Sequence, residues 1–196
     1  MINQILYIFI AYFIGSISFG ILASKIFNIK DPRAMGSKNP GATNILRTGN
    51  KYAAVFTLLG DMLKATLVVG IALSLNFSGN LLTAVILAVL LGHMYPIFHN
   101  FKGGKGVATA LGILLAINWE LALFTLLTWI IIFFISKYSS LSAIIAAIAS
   151  PLIAYTLNQD QHIIIISVVL AILILFRHKR NIQNLINGTE SSFKSN

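Results

Sequence analysis

Apolar residues dominate seven stretches of the chain, at positions 5–23, 52–75, 81–98, 107–117, 121–136, 141–157 and 162–176, with short polar breaks between them. Within each stretch the residues are apolar on every helical face rather than alternating. That pattern predicts helices surrounded by lipid and argues against the strands of a membrane barrel. The fourth stretch is the weakest: at about 1.5 Å rise per residue it covers only about half of a 30 Å hydrocarbon core. Charge decides whether to keep it. With seven crossings, Lys25, Lys30, Arg33, Lys38, Arg47, Lys51, Lys102, Lys105, Lys137, Arg177, Lys179, Arg180 and Lys194 all fall on one side. The opposite breaks hold only Glu120 and Asp160, and Lys64 lies inside a span. Dropping the fourth span would move Lys137 and the basic C-terminal cluster to the other side. The positive-inside bias therefore predicts a seven-transmembrane-helix bundle, all-α, with the N-terminus outside and the C-terminus cytoplasmic. On this reading residues 1–196 form one membrane domain, with cytoplasmic loops 25–51, 99–106 and 137–140 and a cytoplasmic tail 177–196.

Composition agrees with a lipid solvent: 57 % of residues are hydrophobic and 10 % charged, where soluble domains carry about a quarter charged. The net charge of +9 then reflects topology and anionic headgroups or substrates, and no nucleic-acid partner is expected. No cysteine is present, which excludes disulfides, thiolate nucleophiles and cysteine-bound metals. The N-terminal stretch has no Lys or Arg before its apolar run and reads as the first span rather than a cleaved leader. No internal repeat of the kind found in many transporters is evident.

Candidate chemistry gathers on the predicted cytoplasmic face. The loop 25–51 contains GSKNPGATNILRTG, which places Ser37, Asn39, Gly41, Thr43, Asn44 and Arg47 close together. Small residues let a backbone approach an anion, and a guanidinium clamps two phosphate oxygens at once; a plain solvated loop that fixes topology is the other reading. The segment GHMYPIFHNFKGGKGVAT sets Lys102, Gly103, Gly104 and Lys105 immediately before a helix N-terminus, where the free N–H groups and dipole favour an anion. A basic turn on lipid phosphates accounts for it too. It is not a Walker loop, because Gly106 follows Lys105 where Ser or Thr is required.

His93 and His99 are six residues apart, which is not a ligand spacing on one helical face, so no metal site is expected. His93, inside its span, fits a structural hydrogen bond. Asp61 and Lys64 share a helix face at i, i+3 and pair within the second span, either as a packing anchor or as a functional pair. Arg177, His178, Lys179 and Arg180 form an anion-attracting cluster that is also the ordinary cationic end of a helix; His178 and Asn181 share a face if the helix continues. Ser139 and Ser140 add hydroxyls in the turn KYSSL. The sequon at Asn187 lies on the cytoplasmic side, so glycosylation is not expected.

GSKNPGATNILR, GHMYPIFHNFKGGKGVAT and RHKRNIQNLINGTE, in that order and with LGDMLKA and KYSSL between them, resemble the bacterial acyl-phosphate:glycerol-3-phosphate acyltransferase (PlsY) family over nearly the whole chain. The resemblance implies transfer of a fatty acyl group from acyl phosphate to the sn-1 hydroxyl of glycerol 3-phosphate, giving lysophosphatidic acid and phosphate without a cofactor. It implies a multi-pass protein of the bacterial inner membrane, with its site facing the cytoplasm and membrane lipids around it.

Carried onto this sequence, the family pattern has Ser37, Asn39, Gly41, Thr43 and Asn44 binding a phosphate and Arg47 and Lys105 clamping anionic groups. Lys102, Gly103 and Gly104 join the binding loop, and Ser139 or Ser140 with His178 and Asn181 completes the polar pocket. Lys105, Arg47, Ser37, His178 and Asn181 would carry the catalysis, supported by His93, Asp61 and Lys64. The chain departs from the pattern at Arg180, where an acidic or small residue is expected, and at Ala65, where Gly is. An organic-phosphate transporter or channel is the competing class. It would need polar groups continuing to the far side, and the outer halves of these spans are almost free of ionisable residues.

Overall fold

The computed structural model describes residues 2–193; Lys194, counted above among the cytoplasmic cations, lies outside them. The described residues are helical and contain no strand. In order they form α1 (Ile2–Gly15), α2 (Phe19–Ile26), a 3-10 turn (Pro32–Ala34), α3 (Ala42–Leu46), α4 (Lys51–Ser74), α5 (Gly79–Met94) and a 3-10 turn (Ile97–His99). There follow α6 (Val107–Ile117), α7 (Trp119–Ser136), α8 (Ser139–Thr156), α9 (Gln161–Arg177) and α10 (Lys179–Ile186). Among the described residues, four helices are long and apolar enough to cross a membrane, or six if each of two bent pairs counts as one span; Val107–Ile117 is shorter.

Polar residues in the hydropathy breaks stop and start these helices. The side chains of Asn50, Asn118 and Asp160 cap α4, α7 and α9 by accepting from Ala53, Leu121 and Ile163 N–H groups. Asn76 and Asn158 adopt φ of 59° and 53°, the left-handed conformation that Asn tolerates, and turn the chain after α4 and α8. In each turn the N–H of the next residue reaches back into the helix, from Phe77 to the Ala72 carbonyl and from Gln159 to that of Ala154. Gly188, at φ +69°, ends α10 in the same way, so the sequon forms a helix stop.

Four expected boundaries need correction. The first span, 5–23, is broken at residues 16–18, and α2 leaves at 43° to α1. Here the Ser16 hydroxyl bonds the Tyr12 carbonyl, competing with the backbone ladder. Loop 25–51 is not all loop: α2 extends into it to Ile26, and it contains the one-turn helix α3, which packs Ile45 against Ala23, Ala53 and Ala54. Ser139 and Ser140, expected in the turn 137–140, open α8, because the turn is confined to Lys137, at φ +61°, and Tyr138. Within the tail 177–196, Lys179–Ile186 form α10, bent 63° from α9 at His178.

The chain packs as two compact units, one running through Ala116 and one starting at Ile117. In the first, α1 lies against α5, and α2 and α3 lie against α4. Close approach depends on missing side chains: a Cβ at Gly15 would run into the Val89 carbonyl, and one at Gly92 into that of Tyr12. Small residues draw helices together in this way where lipid supplies no hydrophobic drive between them. In the second unit α8 is central, packed on α7, α9 and α10. Pro151 cannot donate to the Ala147 carbonyl four residues back, and the Ser150 hydroxyl does so at 2.9 Å.

Gly92→Leu is expected to separate α1 from α5, at a cost of roughly 1–3 kcal/mol or more for overpacking. Thermal unfolding in detergent should show a midpoint several degrees below the parent. An unchanged midpoint would contradict the close contact.

Candidate functional site

In the first unit, loop 28–50 is organised around one side chain. Asn44 is buried to 2 % exposure, and its Oδ1 accepts the Ser37 N–H at 3.1 Å. Its Nδ2 lies 2.8, 3.0 and 3.2 Å from the carbonyls of Pro32, Asn39 and Met35. The amide thus joins four loop backbone groups, and its hydrogen-bonding capacity goes into shaping the loop. Gly36, at φ +50°, lets the backbone pass Asn44, since a Cβ there would run into Oδ1. Around this hub Ser37 and Arg47 are exposed, and Asn39, Gly41 and Thr43 are half-buried. Arg33 is committed locally: its guanidinium meets the Asp31 carboxylate at 2.7 Å and holds that carboxyl below the usual carboxylate range.

The second loop folds back over the C-terminal turn of α5. The Gly104 N–H donates to the His93 carbonyl at 3.1 Å. A Cβ at Gly103 would strike that carbonyl and Pro96, and one at Gly104 would strike the His93 imidazole. These glycines are therefore required for packing, whatever else they hold. Lys102 is exposed and Lys105 half-buried at the entry to α6, whose first turn includes the Thr109 hydroxyl, fully buried and without a hydrogen-bond partner among the described residues. The two loops approach one another, with His99 in the electrostatic field of Arg33, Lys25 and Asp31.

Beneath the second loop the expected Asp61–Lys64 pair is present and larger than expected. Lys64 Nζ donates to Asp61 Oδ1 at 2.8 Å and to the Ile17 carbonyl at 2.7 Å, and lies 3.1 Å from His93 Nδ1. The residues involved come from α4, from the break in the first span and from α5. All three side chains are buried. Beside them an apolar groove of about 610 Å³ runs along α1 and α4, lined by Ile10, Phe19, Leu63 and Leu67 among others.

In the second unit His178 sits at the bend between α9 and α10, 2 % exposed. Its Nδ1 lies 2.8 Å from the Ile174 carbonyl. A carbonyl only accepts, so Nδ1 carries a proton, and in the neutral ring Nε2 keeps the lone pair. One turn on, Asn181 donates to Glu190 Oε1 at 2.7 Å, and the Ser140 hydroxyl donates to the same oxygen at 2.6 Å. Asn184 reaches Oε2 at 3.3 Å. Sequence reasoning missed Glu190. The available signal was a lone carboxylate in an otherwise basic tail, just past a helix end rich in amides.

The family model described as glycerol-3-phosphate acyltransferase matches residues 5–188. A glycerol-3-phosphate acyltransferase of Methylobacillus flagellatus is 49 % identical over 191 residues, covering 97 % of each chain. One of Cupriavidus taiwanensis is 50 % identical over 194 residues, covering 96 % of this chain and 95 % of its own. The crystal structure of PlsY (YgiH), an integral membrane glycerol 3-phosphate acyltransferase, in its glycerol 3-phosphate form superposes with a TM-score of 0.92 at 39 % identity, over 98 % of this chain and 96 % of that one. Its lysophosphatidic acid form gives 0.91 at 38 % identity, with the same coverage. With the family model spanning nearly the whole chain and relatives about half identical throughout, this chain belongs to the glycerol-3-phosphate acyltransferase family.

Proposed function

We propose that this membrane acyltransferase moves a fatty acyl group from an acyl phosphate to the sn-1 hydroxyl of glycerol 3-phosphate at the cytoplasmic face of the bacterial inner membrane. The observation that carries the reading is the near-complete likeness to a solved protein with glycerol 3-phosphate and lysophosphatidic acid forms. The residues of this chain supply suitable chemistry: two folded loops carry Arg47, Lys102 and Lys105 among glycines and amides, as anionic substrates require.

In the proposed step the hydroxyl oxygen bonds to the acyl carbon, the bond from that carbon to the phosphate oxygen breaks, and phosphate leaves. The hydroxyl proton passes to Nε2 of His178 or to a phosphate oxygen of the substrate. An acyl phosphate is already activated, so orientation and charge stabilisation are the main tasks, and no acyl-enzyme is needed. We assign Arg47, Ser37 and Lys105 to the anionic groups, with Asn39, Gly41, Thr43, Lys102, Gly103 and Gly104 completing the binding loops and Asn44 holding the first loop in shape. Asn181, Ser139 and Ser140 support His178, the first and last of these alongside Glu190.

We also propose seven crossings, with α6 counted as one and the N-terminus outside. The one-sided distribution of Lys and Arg supports this.

Purified in detergent and given glycerol 3-phosphate with acyl phosphate, the protein should form lysophosphatidic acid. Lys105→Ala and Arg47→Ala should each slow product formation about 10²-fold or more, as removal of a preorganised charge-stabilising donor does. Absence of product with acyl phosphate or acyl-CoA from a folded sample would overturn the assignment. Glu190→Ala strips Ser140 and Asn181 of their acceptor and should destabilise by about 1–3 kcal/mol, whereas Glu190→Gln, which keeps a carbonyl oxygen, should lose less. Equal unfolding midpoints for the two variants would argue against the clamp. The chain has no cysteine, so single substitutions report topology cleanly. Ser78→Cys should react with an impermeant maleimide on intact cells and Lys51→Cys only after permeabilisation; the reverse pattern would invert the orientation.

A further inference from the structure

We propose that Lys64 and His93 are positioning residues, setting the height and orientation of the 102–106 loop, and so of Lys105, from inside the membrane span. The inference rests on the reading of Lys105 given above, but its geometry does not.

An ammonium has three N–H donors, and Lys64 Nζ has three polar neighbours at 2.7–3.1 Å: the Ile17 carbonyl, Asp61 Oδ1 and His93 Nδ1. The ammonium is thus held in one place by three points of the first unit that are far apart in sequence. His93 Nδ1 lies 3.1 Å from the Lys64 ammonium and 3.4 Å from Asp61 Oδ1, so that edge of the ring is held against the ion pair and Nε2 is turned away from it. Nε2 is the ring atom against which Gly104 packs, since it is the atom a Cβ at position 104 would meet first. The backbone completes the link, with the Gly104 N–H on the His93 carbonyl at 3.1 Å.

The imidazole thus stands between a fixed ammonium and the backbone of residue 104, one position before Lys105. Gly103, Gly104 and Gly106 contribute no side chains to the loop, and Gly106 sits at φ +87°. A loop built of glycines takes its shape from what it rests on.

Amide hydrogen exchange in detergent, together with steady-state kinetics, tests this. His93→Ala should speed exchange at residues 102–106 at least about tenfold, with the interiors of α4 and α5 changing less than about threefold. It should raise KM for glycerol 3-phosphate about tenfold while kcat falls less. His93→Gln, whose amide reaches the same depth, should restore loop protection to within about threefold of the parent. Gly104→Ala should by itself cut kcat/KM at least about tenfold, yet add little to His93→Ala, where the ring it would strike is gone.

The proposal is overturned if loop exchange is unchanged in His93→Ala, or if it rises evenly through α4 and α5 as a purely structural role would have it. Additive effects of the two substitutions overturn it as well. If the parent makes no lysophosphatidic acid, the functional reading fails while the exchange measurements still decide the positioning.

Discussion

A carbonyl left over by a broken helix in lipid must find a donor within the protein, because the hydrocarbon core offers none. The first span of this chain breaks at residues 16–18, and the Ile17 carbonyl takes the Lys64 ammonium. Burying that ammonium then demands a counter-charge, which Asp61 supplies one helical turn away on the same face. His93 Nδ1 makes the third contact, at 3.1 Å. The bend between α1 and α2 sends α2 along α4, where Gly20 passes the Pro40 carbonyl so closely that a Cβ would collide with it. The first polar loop is therefore seated against the span whose break Lys64 stabilises, and the second rests on His93. One buried ion pair underlies the placement of both loops in this unit.

Within each loop the division of labour follows burial. Asn44, at the centre of the first loop, satisfies four backbone groups, whereas Ser37, whose N–H it accepts, and Arg47 are exposed. Motif residues thus fall into two groups that sequence spacing alone cannot separate: those that shape the loop and those that remain accessible to a ligand. In the second unit Glu190 acts as Asn44 does in the first, gathering Ser140, Asn181 and Asn184 around one carboxylate. A charged acceptor suits three donors there, because each hydrogen bond to an ionised group is stronger than a neutral one.

Much of this was legible along the chain because apolar length is a local property. The stretch 107–117 coincides with α6, and the other apolar stretches differ from their helices mainly where polar residues such as Asn118 and Ser139 begin a helix instead of ending a loop. The Asp61–Lys64 pair was legible for the same reason, as two charges an i, i+3 step apart inside an apolar run. The break at residues 16–18 was not, since its stretch contains no charge or proline and the group it exposes is a backbone carbonyl whose partner lies 47 residues on. Glu190 escaped for a similar reason: its acceptor role depends on Ser140, 50 residues earlier, and on the return of the tail that bonds Phe193 N–H to the Lys137 carbonyl. Contacts at that separation leave no periodic trace.

The acids complete the chemical argument. The chain has five, and each occupies a place that accounts for it. Asp31 starts a 3-10 turn and holds Arg33, Asp61 neutralises Lys64, Glu120 lies in the first turn of α7, Asp160 caps α9, and Glu190 binds the amides around α10. Glu120 is favoured there by the N-terminal end of the helix dipole. None of the five therefore stands out as a general base for an incoming hydroxyl. A donor whose leaving group is phosphate needs less help from a base than an amide or ester would, because the bond to be broken is already activated. The proposed reaction sends the proton to Nε2 of His178, whose Nδ1 lies 2.8 Å from the Ile174 carbonyl, or to the phosphate oxygens that the substrates bring with them.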